Sequence, residues 1–423
     1  MENCKYMKSV ISLFTWLLLL CAPSLYAQQA EVLPLDSVLS RIDRQNVLLQ
    51  SYGLKAEGFR YSADAATAWM APMVGAGTFM TPYPGQTLMD GRDRGNLMFQ
   101  LEQDIPNPAK LQARKKYIAS QGDVERAGRD VTLNELKARA KQLYYGWLIA
   151  MQKIRVLTEN EKILQTMKKI EEVRYPYNQS SLGSVYKADA KIEENRNMIR
   201  MQEGLIAKSR AWLNSLMNAP GNQAFEIDTA HAPSFSPAAS YDTASLATRR
   251  KDVSVMNESI RSMQLNIESM ENDRKPDFRL RFDHMQPLSS SMPKGFSAMG
   301  MISIPIAPWA SRMYKSEIKA MELNIMGMEK EKAAMLQEAQ GMLYGMQYEI
   351  QSMQSRISNM EKKIIPALQL AMEANFRNYQ ENRLELTNVV DTWEALTMMQ
   401  SEVLDEKGKL YEMIVEYEKQ LYR

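Results

Sequence analysis

Hydrophobic residues in the last third of the chain recur with a fixed rhythm. Tyr314, Ile318, Met321, Ile325, Met328, Met335, Ala339, Met342, Met346, Ile350, Met353, Ile357, Met360 and Ile364 follow one another by alternating steps of four and three. Lys332 fills the one missing place, and a single extra step of four falls around Met346. Alternation of four and three is the heptad period of helices packed as a coiled coil, and the extra four is a stutter. Met256, Ile260, Met263, Ile267 and Met270 keep the same rhythm. Between Pro108 and Pro176 there is no proline, and the stretch is rich in Ala, Lys, Glu, Leu, Gln and Arg, all good helix formers. Helical character resumes near Val185 and runs to about Asn218. A further helix is expected from about Ser245 to Asn272, and the segment from about Ser311 to Arg423 is helical apart from one break. A helix of about 65 residues is roughly 100 Å long. It cannot fold into a compact domain and must pair with other helices along its length.

Two stretches change period. In "GNLMFQLEQDIP", Leu97, Phe99 and Leu101 alternate with Asn96, Met98, Gln100 and Glu102. In "KPDFRLRFDHM", Phe278, Leu280 and Phe282 alternate with Asp277, Arg279, Arg281 and Asp283. Period two predicts strands with one apolar and one polar face. "GFSAMGMISIP" alternates more weakly, and "APMVGAGTFMTP" completes the set with a poor pattern. The strands are expected at about 71–80, 95–105, 275–285 and 295–305, joined into two hairpins by turn-rich loops. Each is about ten residues, the length that spans a bilayer at a tilt. The polar face, with Gln100, Glu102, Arg279, Arg281 and Asp283, suits a water-filled lumen. A β-sandwich fragment beside a coiled coil is the competing reading, but it would have to bury that charged face. Four strands cannot close a barrel, since the smallest membrane barrels have about eight. The chain is therefore expected to oligomerise and so cover its sheet edges.

The long helical pattern breaks twice, at "RYPYNQSSLGSVYKADAK" (Arg174–Lys191) and at "FRNYQENRLELTNVVDTW" (Phe376–Trp393), 202 residues later. A break at a fixed offset points to a duplication, with repeats at 28–230 and 231–423. Aligned without gaps, Tyr177 matches Tyr379, Leu182 matches Leu384 and Asp189 matches Asp391.

The start of the chain changes the compartment. Lys5 and Lys8 precede an apolar run from Val10 to Ala22, and "SLYA" follows, which reads as a secretory signal at 1–27 cleaved after Ala27. The run is short for a membrane anchor, which needs roughly 20 apolar residues. Both cysteines, Cys4 and Cys21, fall in this signal, so the mature chain has no thiol chemistry. Cys21 as a lipidation site is the alternative, with Leu20 in the place where a small residue is wanted. A net charge of +2 with 24% charged residues gives no single-sign field for nucleic acid.

Each half reads helix, strand, loop, strand, long helix, break, helix. "LEQDIPNPAKLQARKKYIAS" and "ISIPIAPWASRMYKSEIKA" look like two equivalent strand-to-helix junctions. In this order and duplication the chain resembles the TolC-type outer-membrane efflux proteins over nearly its whole mature length. The resemblance implies a mainly α fold with a small β part. It implies a homotrimer in which twelve strands form one outer-membrane barrel continued by a periplasmic α-helical coiled-coil barrel. Its partners would be outer-membrane lipid, a periplasmic adaptor (membrane fusion protein) and an inner-membrane efflux pump of RND type. The two breaks would be periplasmic helix-turn-helix tips that close the tunnel and meet the adaptor through Leu182, Gly183, Ser184, Leu384 and Leu386. The usual tip glycine, three residues after the tyrosine, is Ser180 in one copy and Asn382 in the other. Asp391 falls on one of two acidic ring positions of the family's constriction and Asn388 on the other. Tyr379 matches a tyrosine that latches the tip, and Asp189 would lie beside the ring. Asp391 is alternatively a solvated residue or a helix cap, and Tyr379 a packed aromatic.

The chain holds 32 methionines. Thioethers bind Cu(I) and Ag(I), but most of these methionines fall on the heptad seam, where they fill a core. Met299 and Met301 fall instead on the polar-face register and are the better candidates for a lumen path. No nucleophile–base pair, phosphate loop, or ordinary zinc or haem site is visible, so neither catalysis nor a cofactor is expected. The expected function is an efflux channel for small molecules or metal ions, Cu(I)/Ag(I) or other heavy-metal cations among them. A periplasmic coiled-coil adaptor or structural rod is the alternative.

Overall fold

The structure is a computed structural model and describes residues 31–87, 90, 94–230, 232–238, 240–305 and 308–422. The expected signal, both cysteines and His231 lie outside the described residues. A short strand β1 (Glu31–Leu33) leads into α1 (Leu35–Gln45) and α2 (Val47–Ala65). The hairpin β2 (Met73–Phe79) and β3 (Asn96–Ile105) follows. Then come the long α3 (Pro108–Arg174), α4 (Leu182–Leu216) and a second short strand β4 (Phe225–Ile227). The same order returns in α5 (Thr243–Arg249), α6 (Lys251–Asn272), β5 (Phe278–Pro287), β6 (Gly295–Ile302), α7 (Pro308–Asn359), α8 (Ile365–Gln380) and α9 (Leu386–Gln420). A turn of π-helix, Met360–Ile364, joins α7 to α8.

The strand-to-helix junction of the first half is fixed by one asparagine. The Asn107 side chain accepts from the Ala109 N–H at 3.0 Å, and Pro108 occupies the first turn, where a missing N–H costs nothing. The same residue donates its backbone N–H to Asp277 at 3.0 Å and its side-chain amide to the Pro276 carbonyl at 3.2 Å. Lys110 pairs with Asp277 at 2.6 Å. The bases of the two hairpins are thus pinned together, although 170 residues separate them.

β2, β3, β5 and β6 form one antiparallel sheet in that order. Its central register pairs Leu101 with Phe282, Phe99 with His284 and Ile105 with Phe278. A separate parallel pair, β1 and β4, was not expected from the sequence. Each strand is three residues long, too short to show an alternation. Around this pair lies the larger core, where Trp147, Tyr144, Ile42, Phe225, Leu246, Leu343 and Tyr417 are buried. The helix expected over 245–272 is split at Arg250, whose backbone is extended. Its guanidinium is buried, bonded to Asp252 at 2.6 Å and to the Gln420 carbonyl at 3.1 Å, which holds the chain in the break.

A second core lies towards the helix-turn-helix ends and contains Leu164, Met167, Ile192, Met372, Tyr379, Val389, Val390 and Trp393. Between the two cores runs a polar layer. Asn160 donates to Gln400 at 3.1 Å, and Asn195, fully buried, donates to the Leu157 carbonyl at 3.0 Å. The π-turn and Pro366 lie at nearly the same level, bracketed by the Lys407–Glu361 pair and the Asn375–Thr392 bond. Pro366 lacks the N–H that the α-helical ladder needs, and the i to i−5 bond from Ile365 to Met360 is the local adjustment.

The heptad seam is real, but its stutter lies elsewhere than expected. Leu343 is fully buried while Met342 is exposed, so the two steps of four run Met335–Ala339–Leu343. Met342 leaves the seam. Pro108 and Pro308 open α3 and α7, whereas the left-handed turn residues Asn178 and Asn382 lie 204 positions apart. The second path from sheet to turn is thus longer by one four-residue stutter.

Candidate functional site

Two regions gather the residues singled out from the sequence: one face of the sheet and the pair of turns at the far end of the helices. On the sheet, register puts Gln100 opposite Asp283, Glu102 opposite Arg281 and Asp104 opposite Arg279. Arg281 and Arg279 lie opposite Met299 and Met301 on β6. All of the sheet residues expected to line a lumen therefore share one face. Their charges are internally paired. Arg281 binds Asp283 at 2.9 Å, Arg279 binds Glu102 at 2.9 Å and Asp104 at 2.5 Å, and Gln100 donates to Glu102 at 3.0 Å. Glu102 and Asp283 are buried beneath these guanidinium groups. The opposite face carries Val74, Leu97, Phe99, Leu101, Phe278, Leu280, Phe282, Phe296 and Ile302, every one exposed. Phe282 and Phe296 stack there at 5.8 Å.

At the turns, the two halves lock onto each other. Tyr379 has no exposed surface, and its hydroxyl donates to the buried carboxylate of Glu171. Ser180 donates to the other oxygen of that carboxylate. Arg174 lies over the Tyr379 ring at 4.6 Å and donates to the Tyr379 carbonyl at 2.6 Å. Burial first, and the Glu171 carboxylate second, push the Tyr379 phenol above its ordinary pKa. Glu171 and Arg174 were not identified from the sequence, and Ser180 was singled out only as the residue in the place of the tip glycine. Glu171 and Arg174 lie in the last turn of a long polar helix, where nothing in the spacing sets them apart.

The gap-free correspondence between the turns needs a shift of two. Asn178 and Asn382 both adopt the left-handed conformation, with φ of 54° and 58°. Their N–H groups bond to the carbonyls of Tyr175 and Tyr379. α4 begins at Leu182 and α9 at Leu386. Tyr175 is therefore the partner of Tyr379, and an asparagine stands three residues later in both copies, filling the conformation glycine favours. Asp391 corresponds to Lys187, not to Asp189.

Asp391 and Asn388 are exposed on one face of α9, and Asp391 lies well inside the helix, which begins after Glu385. A capping role for Asp391 is thereby excluded. Asp189 is instead paired with Lys168 at 2.6 Å within its own hairpin. Of the residues expected to meet an adaptor, Leu182 and Gly183 are exposed, while Ser184 and Leu384 are half-buried. Leu386 is buried in the second core among Tyr379, Val389 and Trp393, so its side chain is not a contact surface. The apolar surface that does project there is Val173, Tyr175, Tyr177, Leu182 and Tyr186.

Among the described residues, no helix is long and apolar enough to cross a membrane, and no group of three or more His, Cys, Asp or Glu could hold a metal ion. No protein-family model matches the chain, and no curated protein sequence matches it. Solved structures do. CusC, whose structures describe folding and transmembrane channel formation, superposes with a TM-score of 0.72 at 17% identity, over 94% of this chain and 95% of that one. The outer-membrane protein VceC from Vibrio cholerae matches with a TM-score of 0.70 at 14% identity, over 92% of this chain and 95% of that one. The Campylobacter jejuni outer-membrane channel CmeC matches with a TM-score of 0.69 at 12% identity, over 92% and 85%. Helices, four-stranded sheet and paired turns taken together, the chain has the fold of these outer-membrane channels.

Proposed function

We propose that the protein is an outer-membrane efflux channel of a Gram-negative cell, extending into the periplasm. It would passively conduct small molecules or metal ions delivered by an inner-membrane pump, of RND type, through a periplasmic adaptor. The observation that carries this reading is the division of the sheet. One face presents exposed Val74, Leu97, Phe99, Leu101, Phe278, Leu280, Phe282, Phe296 and Ile302, with half-buried Gln103, His284 and Gln286 among them; the other is lined by paired charges. β3 and β5 are 10 residues long, which suits a tilted bilayer crossing. β2 and β6 each have one neighbour in the sheet, leaving an edge on either side. Pairing β6 of one copy with β2 of the next removes both edges, and three copies give a twelve-stranded barrel with charges inside and Phe and Leu outside.

Residues 28–230 and 231–423 then act as two structural repeats whose turns form the periplasmic end. Asp391, exposed on α9 with Asn388, contributes one carboxylate per copy to a ring at the constriction. The Tyr379–Glu171–Arg174 cluster holds the two turns together in the closed form. The exposed Tyr175, Tyr177, Leu182 and Tyr186 offer the adaptor an apolar tip. A periplasmic rod has no use for an exposed apolar sheet face, which favours the channel. The deciding experiment is fractionation followed by unheated electrophoresis and planar-bilayer recording. A heat-labile trimer band in the outer-membrane fraction, with ion conductance, is expected. A soluble periplasmic product without conductance would leave the rod reading in its place.

A further inference from the structure

The five methionines within the strands of the four-stranded sheet are Met73, Met98, Met285, Met299 and Met301. The register puts all five on the charged face and none on the apolar one. At the large apolar positions of the opposite face the same sheet uses leucine, phenylalanine, valine and isoleucine. Methionine is therefore not acting here as a general apolar filler, as it does along the helical seam. Met98 and Met285 face each other directly across β3 and β5, and the outer strands put Gly77 and Gly295 beside them. Directly opposed residues bring their Cβ atoms to about 4.5–5.5 Å. Two flexible thioether chains so placed can turn their sulfurs to one ion, and the glycines leave the space on either side free of side chains. Met299 and Met301 continue the line along β6 towards the helices, opposite Arg281 and Arg279.

We infer that this line is a path for soft monovalent metal ions, Cu(I) and Ag(I) in class, with the Met98–Met285 pair as its principal site. The inference rests on the channel reading, because only there does the charged face line a lumen. A thioether is uncharged and soft. It coordinates these ions while ignoring Na+, K+ and Mg2+. It is also a weak ligand, and conduction requires sites that release what they bind. The neighbouring carboxylates are already held by Arg279 and Arg281 and add no competing site for hard cations.

The test uses the full-length trimer in planar bilayers with nitrate salts, with Ag+ as the probe. Wild type is expected to conduct K+ and to show block by micromolar Ag+. The Met98→Leu/Met285→Leu double variant keeps the volume and the apolar character. It should retain the K+ conductance but require about tenfold more Ag+ for the same block. Tetraphenylphosphonium, a bulky organic cation with no affinity for thioether, should act equally on both. Equal Ag+ sensitivity in wild type and variant, or K+ conductance with no Ag+ effect in wild type, overturns the inference and leaves the channel reading standing. Absence of K+ conductance in wild type removes the channel reading and the inference with it. Should the double variant fail to assemble, methyl spectra of methionine-labelled wild type decide. Ag+ should shift no more than the five strand methionines; shifts confined to the helical seam, or none at all, count against the site.

Discussion

Tyr379 joins two turns that lie about 200 residues apart in the chain. Its replacement by phenylalanine leaves the buried Glu171 with Ser180 as its remaining hydroxyl donor. Such a loss costs roughly 1–3 kcal/mol. The expected outcome of Tyr379→Phe is faster amide hydrogen exchange across both turns with the sheet unaffected; unchanged exchange would mean the bond does not hold them. The pH dependence follows from the raised phenol pKa. Below about pH 10 both folded and unfolded tyrosine keep the proton, and the stabilisation is complete. Above it the unfolded phenol ionises first, the unfolded chain binds fewer protons, and stability falls as pH rises. Tyr145, pushed up to about 12, and Tyr241 shift in the same sense, so the whole chain should weaken in alkali. The contribution of the latch is the difference: unfolding of Tyr379→Phe should depend less steeply on alkaline pH than wild type. At Asn382, glycine should be tolerated, whereas valine in the left-handed conformation costs on the order of 1–2 kcal/mol, measurable as local exchange at the second turn.

Among the elements, the strands carry the sharpest expectation. Leu280 lies mid-strand on the exposed apolar face, and Leu280→Arg should cost roughly 2–4 kcal/mol if that face meets lipid near the midplane. Normal yield of heat-labile trimer from this variant would sink the membrane register. In α7, Leu343→Ala should cost about 2–5 kcal/mol, while Met342→Ala, at the exposed neighbouring position, should stay within about 0.5 kcal/mol. Thermal melting in detergent compares the two. This pair also shows how far sequence reading reaches. The heptad period was legible because it is repeated over many turns. The place of the stutter was not, because Met342 and Leu343 are both apolar and only packing chooses between them. The strand faces were legible from alternation alone, and the register confirms that Gln100, Glu102 and Arg279 share a side. The turns were found but aligned two residues off, because Tyr175 and Tyr177 flank one proline and only the left-handed asparagine marks the true equivalence. Arg174, Glu171 and the β1–β4 pair depend on contacts between distant segments, which no local pattern records.

In the whole molecule, the proposed ring of Asp391 predicts a property that one copy cannot have. Three carboxylates about an axis concentrate cations, so Asp391→Ala should lower cation selectivity and weaken block by multivalent cations from the periplasmic side. Asp189→Ala breaks a pair with Lys168 and should leave selectivity nearly unchanged. Reversal potentials under a salt gradient measure both, and wild-type behaviour from Asp391→Ala would end the ring assignment. The two edges of the sheet have a consequence of another kind. β2 and β6 are different surfaces, so subunits join head to tail, and each needs both ends sound for the ring to close. A chain crippled in β6 alone, by Ala298→Pro, still offers a good β2 edge and takes up a healthy neighbour without passing closure on. Such an allele should be dominant. Expressed in equal amount with wild type, it leaves only about one ring in eight free of a defective member, and the cell's efflux capacity should fall by that factor rather than by half.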